Sequence, residues 1–359
     1  MFRRVLNFFL MLPHFVRIRT AFYMNDTPDL FEWAEQQTAG TTASQDTSPA
    51  VSRENECVPQ GSPVVLVDAF SQIFRAFYAI RQLNNHRGEP VNALYVMTKL
   101  LLQINRDFPA DKGAFLFDCG KVEFRLKLLP EYKANRPPMP EPLKQQMPAV
   151  EEMAAAFGWP LLRAENYEAD DLIGGFANTL SERVFIVTGD KDLSSLVDER
   201  VHLLKPARSG GGFVECGPEE VVRDFGVVPE LIPDYLALLG DSVDNIEGVP
   251  GIGAKSAVEL LNTHGSAERW YQEDGTLRIA AGKFSAKLEG RHSLICRNLG
   301  LTRLKCDLPE QFADLKNVLS KKAPDWQKIA NMCADNDFKS LLREIPAEPE
   351  LPKAEGELF

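Results

Sequence analysis

No two cysteines in this sequence are spaced as a CxxC pair. The six present, at positions 57, 119, 216, 296, 306 and 333, match neither a zinc-site spacing nor a disulfide framework, so reduced, intracellular thiols are expected. An apolar run of membrane length is also missing. Val5 to Val16 is mostly apolar, but Asn7, Pro13 and His14 break it, and it is too short to cross a bilayer. No small-residue cleavage site follows closely, which argues against a secretory signal. A surplus of positive charge is missing as well. The net charge of −11 excludes a chain that is cationic all over its surface, while leaving room for local basic patches.

What is present fits a globular chain. The length of 359 residues suits one large or two medium domains, and 44% hydrophobic with 25% charged residues is ordinary. Met1 to Tyr23 carries Arg3, Arg4, Arg17 and Arg19 and no acid. An organelle-targeting segment and a start mis-assigned upstream of Met24 both account for it. Residues 36–62 are rich in Thr, Ser, Gln and Pro and lack periodicity, as a disordered linker does.

Three β-type runs end in, or just before, an acid. Val64-Val-Leu-Val-Asp68 and Ala114-Phe-Leu-Phe-Asp118 each close on Asp, and Val184 to Val187 leads into Thr188-Gly-Asp-Lys-Asp192. In open α/β sheets the carboxyl edge is where ligands bind. Parallel strands would bring Asp68, Asp118 and Asp190 to that edge. Glu168 and Asp170, in Glu168-Ala-Asp-Asp171 at the start of a helix-like run to Leu180, would join them. So many like charges require a counter-charge, and a hard divalent cation on oxygen ligands supplies one. This reads as a two-metal phosphodiester site. Separate, solvated helix caps are the plain alternative.

Helical spacing extends over Gln72 to Ile80, which carries Arg75, and over Asn92 to Ile104. After Asp118 comes a basic and aromatic stretch, Lys121, Phe124, Arg125, Lys127, Tyr132, Lys133 and Arg136, which Pro137-Pro-Met-Pro140 ends. It suits phosphate contact with base stacking, and equally a solvated helix face. Pro218 to Phe225 and Pro229 to Leu239 read as helices opened by proline. Gly248, Gly251 and Gly253 then make a hairpin that opens a helix from Ala254, with Lys255 in its first turn. Such a hairpin offers backbone N–H groups to an anion. Lys283, Lys287, Arg291, His292, Arg297, Arg303 and Lys305 prolong the basic character, and from Pro309 onward the chain reads as helical with Trp326, Ile329 and Met332 as a packing stripe.

Leu66-Val-Asp68, Phe117-Asp118, Tyr132-Lys-Ala-Asn-Arg-Pro-Pro-Met-Pro140, Glu168-Ala-Asp-Asp-Leu-Ile-Gly174 and Thr188-Gly-Asp-Lys-Asp192, in that order, resemble the 5′-nuclease family. That family holds bacterial 5′→3′ exonucleases, the amino-terminal domain of type-I DNA polymerases, and phage and eukaryotic flap endonucleases. The resemblance runs from about Val64 to about Thr302. It implies an α/β, PIN-like (Rossmann-like), mostly parallel sheet with flanking helices, followed by an all-α helix–three-turn–helix DNA-binding domain. The expected layout is an extension and linker over 1–62, a catalytic domain over 63–217, the DNA-binding domain over 218–308, and a helical segment with an acidic tail over 309–359.

The resemblance also implies roles. Asp68, Asp118, Glu168 and Asp170 would hold a first magnesium, or manganese in its place, with Asp171 beside them. Asp190, Asp192 and Asp241, supported by Asp244, would hold a second. Lys133 and Arg136 would steer the scissile phosphate from an arch, and Arg75 would touch substrate phosphate. Tyr132, Gly248, Gly251, Gly253 and Lys255 would meet DNA, with potassium on hairpin carbonyls. The implied activity is hydrolysis at DNA 5′ ends and flaps, including RNA–DNA primer junctions, by a free-standing cytoplasmic monomer. A PIN-type ribonuclease and a nuclease-dead DNA-binding protein are the alternatives. The terminal Leu358 and Phe359 faintly resemble a sliding-clamp peptide, though its usual Gln is missing; a frayed tail is the other reading.

Overall fold

The computed structural model describes residues 62–207 and 212–346. The extension and linker expected over 1–62 lie outside the described residues, apart from Ser62, and so do the acidic tail and Leu358–Phe359.

Strand β1 (Val64–Asp68) is buried along its whole length, because helices cover both faces of its sheet. Its side chains alternate between two cores: Val64 and Leu66 enter one, Val65 and Val67 the other. Helix α1 (Ala69–Ala79) follows without a loop and is capped by the Asp68 carboxylate, which accepts from Ser71 N at 3.2 Å. Helix α2 (Asn92–Asp107) returns the chain to β2 (Lys112–Leu116). A short α3 (Glu123–Leu128), a turn over 130–136 and α4 (Glu141–Ala156) lead to the two-residue β3 (Leu161–Leu162). Helix α5 (Ala169–Thr179) precedes β4 (Val184–Val187), and β5 (Val201–Pro206) and β6 (Phe213–Cys216) complete the sheet.

The strand order is β3-β2-β1-β4-β5-β6, parallel throughout except for the antiparallel β5–β6 pair. The order reverses direction at β1 and β4. The segments leaving the two strands, α1 and the 3-10 turn Asp192–Leu196, pack on opposite faces of the sheet and open a crevice at the carboxyl edge. β1 and β4 match the runs read from sequence, as does the fold class. β2 ends two residues earlier than expected, so Phe117 and Asp118 lie beyond the strand, at the crevice.

The second half is helical: α6 (Pro218–Phe225), α7 (Ile232–Leu239), α8 (Ala254–His264), α9 (Ser285–Leu288) and α10 (His292–Thr302). The single helix expected over Pro229 to Leu239 is a 3-10 turn, Pro229–Leu231, before α7. Pro233 has no N–H to continue the ladder, so the helix restarts around it. Between α7 and α8, β7 (Gly240–Asp241) and β8 (Ile246–Glu247) pair as a small hairpin. Asn298, fully buried, clamps it by donating to the carbonyls of Ala237 at 2.9 Å and Glu247 at 2.7 Å.

The carboxyl-terminal segment is less regular than its sequence suggested. After α11 (Leu315–Val318) it crosses back to the sheet, where Gly113 N donates to Leu319 O and Lys321 N to Asp111 O, and then forms α12 (Trp326–Asp335) and α13 (Lys339–Leu342). Trp326 packs edge-on to Phe157 with ring centroids 5.7 Å apart, and Ile329 is fully buried, so the stripe is a packing stripe.

Candidate functional site

The crevice edge collects carboxylates from five separate segments. Asp68 closes β1 and is 5% exposed. Its Oδ2 accepts from the buried Thr188 hydroxyl at 2.8 Å, which ties the end of β1 to the end of β4. Asp190 N donates back to the Thr188 hydroxyl at 2.9 Å, and Asp192 N donates to Asp190 Oδ1 at 3.0 Å. Past β2, Asp118 accepts from Ala169 N, the first residue of α5, at 2.7 Å. Glu168 caps α5 in an extended conformation, with ψ at 159°, so it points away from the helix path while Asp170 lies inside the first turn. That kink at the helix start lets residues two apart share one neighbourhood. Asp241 and Asp244 come from the other half of the chain: Asp241 closes β7, and Asp244 lies in the turn that leads to β8.

These acids feel one another. Burial, then Asp190, pushes Asp68 up to about 7 from the usual carboxylate value near 3.8, although the Thr188 hydrogen bond opposes the shift. Burial and then Asp190, Asp68 and Asp118 hold Asp170 well above the usual range. Asp192 is raised by burial, Asp190 and Asp244. Asp190 is raised mainly by burial. Asp192 Oδ1 is buried and accepts no hydrogen bond among the described residues. Asp68, Asp118, Asp170, Asp190 and Asp192 make no ion pair among the described residues. An all-oxygen, anionic, partly unsatisfied donor set of this kind fits a hard divalent cation.

The remaining acids are held by the chain's own cations. Lys133 Nζ lies 2.8 Å from Glu168 Oε1 and 4.0 Å from Asp244 Oδ2. Arg136 pairs with Asp244, and Lys191 Nζ lies 3.0 Å from Asp241 Oδ2. Tyr132 donates its hydroxyl toward both Glu168 and Asp244 at 3.3 Å. No three acids among the described residues are drawn around one point at ligating distance.

Asp171 departs from expectation. Its carboxylate forms a two-pronged pair with Arg125, at 2.6 and 2.7 Å, and also accepts from Glu168 N and Lys305 N. It is fully buried and fully occupied, so it braces the helix start and is withdrawn from the ligand set. Arg125 is the second correction. Placed by sequence in a basic, phosphate-facing stretch, it is 1% exposed and joins α3 to α5. Tyr132, expected to meet DNA, is half-buried and turns its hydroxyl to the acids, with Lys133 and Arg125 5.0 and 6.0 Å from its ring centroid. Arg75 donates to the Pro206 carbonyl at 3.2 Å, at the end of β5.

The three hairpin glycines differ in their reasons. A Cβ on Gly248 would meet Leu239 O at 2.1 Å, so backbone crowding requires glycine there. Gly251 adopts φ +79°, which other residues rarely reach. Gly253, which caps α8 in extended geometry, has neither need: a Cβ there meets open space. Lys255 beside it is exposed and makes no ion pair among the described residues. Lys287 Nζ donates to Gly251 O, a hairpin carbonyl, at 2.8 Å. Within the basic run, Lys283 and Arg303 pair with Glu259 and Glu268.

Sequence reasoning missed Thr188 and Lys191, although both lie inside a quoted motif, because it weighed only the acids. It also missed Asn135 and Asn245. Asn245 has φ +61°, a conformation for which asparagine is enriched, and that preference was the available signal.

Comparison with known proteins agrees with this geometry. Residues 63–226 match a family model described as 5′-3′ exonuclease, N-terminal resolvase-like domain, and residues 227–326 match 5′-3′ exonuclease, C-terminal SAM fold. A protein of Aquifex aeolicus named 5′-3′ exonuclease is 34% identical over 284 residues, covering 78% of this chain and 94% of that one. DNA polymerase I of Pseudomonas aeruginosa is 35% identical over 305 residues, which cover 82% of this chain but 33% of the polymerase. This chain thus spans about a third of that relative's length. Among solved structures, T5 5′-exonuclease with bound zinc shares the fold at a TM-score of 0.56 and 21% identity, over 79% of this chain and 99% of that one.

Proposed function

The chain belongs to the 5′-3′ exonuclease family, and on that premise we propose that it hydrolyses phosphodiester bonds at DNA 5′ ends and flaps, using divalent cations held at the sheet edge. The observation that carries this is the convergence of carboxylates from β1, β2, the α5 start, the β4 end and the β7–β8 hairpin on one crevice. Asp68, Asp118, Glu168 and Asp170 would hold one cation; Asp190, Asp192 and Asp241, backed by Asp244, would hold another. Magnesium or manganese, when bound, would polarise the attacking water and stabilise the departing oxygen.

The chain's own groups do the rest. Thr188 and Ala169 N fix the orientation of Asp68 and Asp118 through their hydrogen bonds. Arg125 and Asp171 hold the α5 start rigid, which sets where Glu168 and Asp170 sit. Lys133 and Arg136, at the mouth, would orient the scissile phosphate. At the hairpin, the open side of Gly253 and the Lys255 ammonium would take a backbone phosphate of the duplex. Potassium there would need carbonyls other than that of Gly251. Phosphate contacts carry no base information, so the enzyme would read the shape of an end or flap and not its sequence. Removal of primers or repair flaps fits that substrate class. No helix among the described residues is long and apolar enough to cross a membrane.

A 5′-flap DNA and a single-stranded RNA, each incubated with and without magnesium, test this reading. Cleavage of the flap only with magnesium is expected. Cleavage of RNA alone would turn the reading to a ribonuclease, and flap binding without cleavage to a binding module.

A further inference from the structure

Two turns on opposite halves of the chain interlock above the acid cluster. Lys133 N donates to Asp244 O at 3.0 Å. Asn245 Nδ2 donates to Glu131 O at 2.9 Å, and Asn135 Nδ2 donates to Ser242 O at 2.6 Å. Lys133 and Asn245, the residues at the two tips, both carry positive φ, 56° and 61°. A lysine in that region is strained, and strain of this kind persists only where surrounding contacts impose it. The contacts here are the clasp itself, and their result is to aim the Lys133 ammonium at Glu168 Oε1, 2.8 Å away. Only 20% of the Lys133 side chain remains exposed.

We propose that Lys133 is a resident counter-ion of the acid cluster, which the Asn135–Asn245 clasp holds on Glu168, and that it competes there with the first divalent cation until substrate phosphate draws it away. The inference rests on the metal reading above and deepens it. In the protein free of metal and substrate, Glu168 has two cations beside it: the buried Arg125, whose Nη1 lies 3.3 Å from Oε2 and is locked on Asp171, and Lys133, which also offsets the charge of Asp170 and Asp190. When a metal takes Glu168, the same ammonium is released at the mouth, where an incoming phosphate is its natural partner. Metal loading and substrate grip are thereby coupled through one side chain. Asn135 and Asn245 are positioning residues, since they act only by holding the two turns together.

The test is magnesium binding to the full chain without DNA, followed by calorimetry. Lys133→Met should bind magnesium at least about fivefold more tightly than the unaltered protein, the lower bound of a typical coupling between competing ligands. Lys133→Arg, which keeps the cation, should return most of the way to the original affinity. Asn245→Gly tolerates the positive φ and removes the side chain that donates to Glu131 O. It should also tighten magnesium binding, while raising the KM for a flap substrate. Equal affinities for Lys133→Met and Lys133→Arg, or weaker binding in Lys133→Met, would overturn the proposal and leave the metal site standing. An unaltered chain that binds no magnesium would instead bring down the metal reading, and this inference with it.

Discussion

At the sheet edge, Asp68, Asp170, Asp190 and Asp192 repel one another and make no ion pair among the described residues. At the hairpin, Lys255 stands exposed beside the open face of Gly253. The two regions have opposite character: the first offers mostly anionic oxygen donors, the second a positive charge and open backbone. The contrast separates chemistry from grip. Loss of a carboxylate at the edge should affect turnover, whereas loss of a positive group at the hairpin should affect binding.

Asp190→Asn is the sharpest way to break the comparison. It neutralises an acid that Asp68, Asp170 and Asp192 all feel, and should lower flap cleavage by at least about 1000-fold, since metal stabilisation of the transition state is worth several kcal/mol. Flap binding in calcium should survive, and gel-shift and single-turnover assays read the two separately. Wild-type turnover in this variant would dissolve the contrast.

Arg125→Met comes next, because Arg125 and Asp171 brace the junction on which the edge depends. Removing one partner of a buried pair strands the other, and about 3–5 kcal/mol of stability should be lost in urea denaturation. A loss within the ordinary surface range would show that the pair is dispensable.

At the hairpin, Lys255→Ala should weaken duplex binding several-fold and reduce the slope of log affinity against log salt by about one. An unchanged slope would remove Lys255 from the phosphate track.

The smallest effect concerns pH. In the folded chain Asp68 keeps its proton up to about 7, whereas in the unfolded chain it releases it near 3.8. Between those values the folded state binds more protons, so stability should fall as pH rises through that window. Asp170, Asp190 and Asp192 shift in the same direction. Metal-free protein should therefore melt at a higher temperature near pH 5 than near pH 8, and saturating magnesium should reverse the order. A flat metal-free profile would contradict the mutual repulsion.

The strands that carry the site were legible because β1 and β4 are continuous apolar runs, a pattern set by burial on both faces, and an acid closes the first and follows the second by three residues. Less legible was which acid faces which partner. Asp170 and Asp171 are adjacent and chemically identical, yet one helix step turns Asp171 into the core toward Arg125 and leaves Asp170 at the crevice. Nothing in local spacing marks that step, because Arg125 lies 46 positions away. The clasp was hidden for the same reason: Asn135 and Ser242 meet only when the two halves fold together. β3, β5 and β6 do not end in an acid and drew no notice.

Counting manganese ions bound per chain by electron paramagnetic resonance, near pH 8 and without DNA, addresses the central claim most directly. The account predicts two ions on the unaltered protein and fewer on Asp68→Asn and Asp190→Asn. A chain that binds none, or an Asp190→Asn variant that binds as many as the original, would contradict it.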